Sequence, residues 1–161
     1  MRSLVLFLLL VVSSFGQIGS VRKGDDRVRR LLDKEGLKYT CDDDGDFKLH
    51  YEIDKNRSQY VFISSETSKY GNMEIREVWS VGYITKEEFF MAPNVMRELL
   101  LDSSKRKLGA WELLRSGGKE VGVFSAKISA DVDLTTLLYT IRGVVNTADE
   151  VEDKLTSRDN F

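Results

Sequence analysis

One cysteine, one histidine and one proline in 161 residues set the first limits. With Cys41 alone, no internal disulfide forms and the domain must stand on its hydrophobic core. In an oxidising compartment the odd thiol pairs between chains or stays buried or inert. Cys41 also abuts three aspartates, whose negative field disfavours the thiolate a nucleophile needs. The lone His50 excludes a two-histidine metal site and a multi-histidine relay. Basic residues are not in excess: 24 Lys and Arg against 26 Asp and Glu give a formal charge of −2. Nucleic-acid binding is therefore not expected, because phosphate neutralisation drives that affinity. The G-x-S-x-G nucleophile pattern and the G-x-x-x-x-G-K-[ST] phosphate loop are both missing, and Ser116-Gly117-Gly118-Lys119 has the wrong spacing for the latter. There is no repeat period and no low-complexity tract. The scarcity of proline, with 42% hydrophobic and 31% charged residues, fits one folded domain rather than a disordered chain.

What is present begins with Met1-Arg2-Ser3, a positive start, followed by the apolar run Leu4–Val12. The run has the length of a signal-peptide core, and Ser14 and Gly16 are small residues at peptidase spacing. Residues 1–16 are expected to be a signal peptide cleaved after Gly16, with Ser20 the alternative, followed by a linker over 17–24. The mature chain is then exported, periplasmic or secreted. The competing reading is an uncleaved anchor, against which stands the polar character of Ser13, Ser14, Gln17, Gly19 and Ser20. No later segment is apolar enough to cross a membrane, so no membrane association is expected after cleavage.

From Asp26 to Glu35 the spacing of Val28, Leu31 and Leu32 predicts a helix, capped by Asp25 or Asp26 and stopped at Gly36. Phe47, Leu49, Tyr51 and Ile53 alternate with polar residues as a half-buried strand does. A loop at Lys55-Asn56-Arg57 leads to a second strand over Ser58–Ser65. A third runs over Met73–Tyr83, with Ile75, Trp79 and Val81 on one face and Glu77 intruding. Thr85 to Glu88 has the capping-box pattern, and Pro93 opens a helix striped by Val95, Met96, Leu99 and Leu100. Strands over Gly109–Arg115 and Glu120–Ala130 flank the Gly-Gly turn. A closing helix from about Leu134 to Leu155, capped by Asp131 or Asp133, carries Arg142, Asn146, Asp149 and Glu152 on its polar side. A domain over 25–156 is expected, with a flexible tail over 157–161. The fold class is α+β: a mainly antiparallel five-stranded sheet with helices on one face, in the order α-β-β-β-α-β-β-α.

Candidate chemistry is sparse. Asp42-Asp43-Asp44-Gly45-Asp46 fails the EF-hand test, since glycine falls at position four and Ile53 at position twelve, and it reads as a turn. His50 with Glu52 and Asp54 on the same strand face is the one conceivable acid–base group, without a visible nucleophile. Asn56-Arg57-Ser58 is a formal glycosylation acceptor. Trp79, Trp111 and Phe124 are named as partner-binding residues, although core packing is the plainer reading for the two tryptophans.

In their order, three segments resemble the YbjN family of bacterial proteins, which shares the fold of type III secretion chaperones. They are VRRLLDKEGLKYTCDDDGDFKLHYEI, MRELLLDSSKRKLGAWELL and VNTADEVEDKL. The likeness spans Asp26 to Leu155. It implies a sheet clasped by helices, frequent dimerisation, and binding or regulation rather than catalysis, with no catalytic residue, cofactor or metal to carry over. Export departs from the cytoplasmic setting of such chaperones. The reading that results is an exported, non-enzymatic protein-binding module and homodimer. The alternatives are a small enzyme using His50 and a carrier of a small apolar ligand.

Overall fold

Local chemistry sets the helix ends. In the computed structural model, which describes residues 24–54, 56–86 and 90–161, the first helix α1 spans Asp26–Glu35. Asp25 caps it, its carboxylate accepting from the Arg27 backbone N–H at 2.7 Å. Gly36 ends it at φ 71°, a left-handed conformation that a side chain would oppose. Helix α2 spans Pro93–Ser103 with proline in its first turn, and α3 spans Leu134–Thr156 behind the cap Asp133. The expected signal peptide, most of the linker, Lys55 and the Glu87–Glu88 half of the capping box lie outside the described residues. Thr85 itself is bound to the sheet: its hydroxyl accepts from the Glu120 N–H at 3.0 Å.

Seven strands form one antiparallel sheet among the described residues, rather than the five expected. They are β1 (Thr40–Cys41), β2 (Phe47–Glu52), β3 (Ser58–Ile63), β4 (Ser68–Tyr70), β5 (Met73–Ile84), β6 (Ala110–Ser116) and β7 (Lys119–Ser129). Their order is β1-β2-β3-β5-β7-β6, with β4 paired to the start of β5. The two additions, β1 and β4, have two and three residues. Both are too short to show the alternation by which strands are read.

The three helices pack on one face. Val28 and Leu32 of α1, Val95 and Leu99 of α2, and Leu137, Ile141, Val144, Val145, Ala148 and Val151 of α3 share one core. Phe47, Leu49, Val61, Ile63, Val78, Phe124 and Ala126 of the sheet complete it. At Gly82 of β5 a Cβ would meet the Trp111 ring and stand 3.2 Å from the α3 carbonyl oxygen of Ala148. A register shift between Val81 and Tyr83 turns Tyr83 onto the same core.

On β5 the expected grouping of Ile75, Trp79 and Val81 with Glu77 is present, and it lies on the side away from the helices. Arg76, Val78, Ser80 and Gly82 point to the helices, while Ile75, Glu77, Trp79 and Val81 lie on the opposite face, half-buried. Arg76 is only 1% exposed and tolerates burial because Asp25 binds its Nη2 at 2.6 Å and the Ser64 and Ser65 carbonyls receive its Nη1. Asp25 in turn binds Arg27, which reaches Glu74 at 2.8 Å and Asp131 at 2.8 Å. This network fastens the start of α1 to β5. Burial alone would raise the Asp25 pKa, but hydrogen bonds from Arg27 and Arg76 hold it far below the usual carboxylate range.

The polar side assigned to α3 also needs correction. Arg142 and Asn146 are exposed, whereas Asp149 and Glu152 are buried. Arg57, from the loop between β2 and β3, supplies the countercharge, with Nε 2.6 Å from Asp149 Oδ1. After the helix the chain folds back. Asp159 accepts from the Ser58 N–H at 3.2 Å, and Asn160 donates twice to Glu152 Oε1.

Candidate functional site

No helix among the described residues covers the second face of the sheet, and this face carries a row of aromatic rings. The period of two along each strand places Lys48, His50 and Glu52 of β2, Tyr60 and Phe62 of β3, and Glu77, Trp79 and Val81 of β5 on it. Val123, Ser125 and Lys127 of β7 and Ala110, Glu112 and Leu114 of β6 continue it. Register brings the rings together. Phe62 is paired with Trp79, and their rings stack at 4.2 Å between centroids and 11° between planes. His50 is paired with Tyr60, ring centroids 5.0 Å apart. The Lys48 ammonium lies 3.9 Å from the Tyr60 centroid.

The stacking sets what this face presents. Phe62 and Trp79 are cross-strand neighbours on adjacent strands, so rings that stack face to face stand up from the sheet. Their rims, not their broad faces, point outward. An upright pair makes an apolar ridge, continued along β5 by Val81. Charges border it: Lys127 bridges Glu112 at 2.5 Å and Glu77 at 3.3 Å. A ridge of rims with a charged border suits side chains of another protein.

The three named partner-binding residues are not brought together. Trp79 is on the open face. Trp111 and Phe124 belong to the core beneath the helices, in edge contact at 5.4 Å. The Trp111 ring N–H is satisfied by Asp102 at 2.8 Å and its backbone N–H by Ser103. Asp102 is lowered: burial would raise it, but Arg106 and Trp111 hydrogen bonds outweigh that. Phe62 and Tyr60, not singled out from the sequence, join Trp79 instead. The only sequence signal for them was their alternation in SQYVFISS.

The acid–base group does not assemble. His50, Glu52 and Asp54 are all exposed, and His50 stacks on Tyr60. Asp54 spends Oδ1 on the backbone N–H groups of Asn56 and Arg57. Cys41 is exposed on the short strand β1. The Asp42–Asp46 run is a turn: Asp42 Oδ1 accepts from the Asp44 and Asp46 N–H groups, and Asp46 from that of Ser65. Asn56 is exposed in its loop. An apolar cleft between α2 and β6, lined by Met91, Met96, Leu99, Leu100, Trp111 and Leu113, measures about 130 Å³. That is below the size of ordinary small-molecule sites. One group of possible metal-ligating residues does converge: carboxylate oxygens of Asp149, Glu152 and Asp159 lie within 4.8 Å of one another.

The chain is thus an α+β domain whose antiparallel sheet has three helices on one face and standing aromatic rings on the other. It is similar to the crystal structure of YbjN from E. coli, described as a candidate transcription regulator, at 14% identity and a TM-score of 0.47. That likeness covers 82% of this chain and 90% of that one. No family model matches the chain, and no curated protein matches it.

Proposed function

We propose that this chain is a non-catalytic protein-binding module, exported after removal of its first 16 residues, and that it works through the helix-free face around Trp79. The observation that carries this is the stacked Phe62–Trp79 pair, with Tyr60 beside it, on a face where the described residues place no helix. Large aromatic side chains on a sheet face that no described helix covers are the kind of anchor that dominates binding energy between proteins. The bordering Glu77–Lys127–Glu112 ion pairs give the face orientation rather than strength. A homodimer joined over this face is the simplest assembly, since a two-fold axis lets one surface meet its own copy. Light scattering behind size-exclusion chromatography should give twice the chain mass for the wild type and the single-chain mass for Trp79→Glu. A wild type that stays monomeric at micromolar concentration removes the dimer and leaves only a foreign partner for the face.

A further inference from the structure

Where α3 ends, three carboxylates meet the Arg57 guanidinium and a fourth, Asp159, lies against two of them. Asp149, Glu152 and Asp153 follow one another along one side of the helix, and Asp159 returns to them from beyond it. Arg57 meets Asp149 Oδ1 through Nε at 2.6 Å and Asp153 Oδ1 through Nη1 at 3.2 Å. One guanidinium is thus shared among three carboxylates, while Asp159 adds a further negative charge against Asp149 and Glu152.

Glu152 is fully buried, at 0% exposure. Its Oε1 receives the Asn160 backbone N–H at 2.6 Å and side-chain N–H at 2.8 Å. Its Oε2 is buried and accepts no hydrogen bond, the Arg57 Nη2 standing off at 3.7 Å. A buried carboxylate oxygen without a donor is an uncommon and costly feature, and an ion is one of the ordinary reasons for it.

We propose that Asp149, Glu152 and Asp159 hold a hard divalent cation, calcium first among them, with Glu152 Oε2 as the buried ligand. Three carboxylate oxygens within 4.8 Å of one another fit a common ion with bonds of about 2.3–2.6 Å, the calcium range. All donors are oxygen, which excludes the soft metals. One ligand comes from outside the helix, so the cage is irregular. Calcium accepts that and fills the remaining positions with water, whereas magnesium demands near-octahedral geometry at about 2.0–2.1 Å. Arg57 holds the carboxylates together without the ion and repels the ion when it arrives. The affinity therefore belongs to the weak range, about 10⁻⁴–10⁻³ M. Bound calcium would tie Asp159 to α3 and so fasten the residues after the helix.

The test is calorimetric titration of the full chain with calcium chloride, together with thermal melts in calcium and in magnesium. One ion per chain is expected, with a Tm that rises with calcium and rises less with magnesium. Asp159→Asn, an exposed substitution that leaves the core alone, should weaken binding roughly tenfold or more, and Glu152→Gln should remove it. No heat and no Tm shift up to about 10 mM calcium, well past that range, overturns the site. So does unchanged binding by Asp159→Asn, which would place the ion elsewhere, as in the Asp42–Asp46 turn. An equal response to magnesium would mean general charge screening and overturns it as well.

Discussion

Strand β5 shows two opposite solutions on its two sides. Toward the helices it sends Arg76, Val78, Ser80 and Gly82, and away from them Ile75, Glu77, Trp79 and Val81. The buried side thus includes an arginine, and the other side has the tryptophan. Arg76 sits inside because Asp25 and two carbonyl groups replace its water, and Gly82 because the Trp111 ring leaves no room for a Cβ. Trp79 falls on the other side by the alternation along β5, where it stacks on Phe62. Hydrophobicity alone does not assign a face: the space under the helices and the available countercharges decide it.

The largest effect that would break this contrast is removal of the inner charge. Arg76→Ala leaves Asp25 without a principal partner and should cost about 3–5 kcal/mol in chemical denaturation. Overpacking at Gly82 comes next. Gly82→Val forces the Trp111 ring and the α3 backbone apart and should cost about 1–3 kcal/mol. Outward substitutions should be much milder. Trp79→Ala forfeits one ring stack and should cost about 1 kcal/mol or less while abolishing association. Lys127→Ala, at a bordering surface ion pair, should change stability by less than about 0.5 kcal/mol.

Acidity separates the two ion networks that fasten the chain to its sheet. Asp25 is held far below its unfolded value of 3.8, and Glu74 is lowered to about 2, chiefly by the Arg27 hydrogen bond. Depressed groups stabilise fully above the unfolded pKa and lose that contribution as pH falls. Stability at the α1 end should therefore decline progressively below about pH 4. Glu152 has the opposite sign: burial raises it above 4.5, so ionisation costs stability as pH rises past that value. Glu152→Gln should remove this cost, giving a Tm closer to constant between pH 4.5 and 7 than the wild type.

Helix ends were legible because their chemistry is local. Asp25, Gly36, Pro93 and Asp133 act within a few residues of themselves. The antiparallel sheet with helices on one face followed from its hairpins. The facing of β5 was not legible, because Arg76 finds Asp25 across 51 residues of sequence. Nor was the burial of Asp149, whose partner Arg57 is 92 residues away. Of the candidate surface, Trp79 was named, but its pairing with Phe62 depends on the β3–β5 register. Trp111 and Phe124 look the same as Trp79 in sequence, and only the packing of α2 and α3 sends them inward.

The most direct measurement is affinity capture from the native extract with wild type and Trp79→Glu side by side, after matching melting curves show both folded. The account predicts a partner, another protein or a second copy of this chain, retained by the wild type and lost by the variant. Equal retention by both would show that the ring-bearing face is not where this protein makes contact.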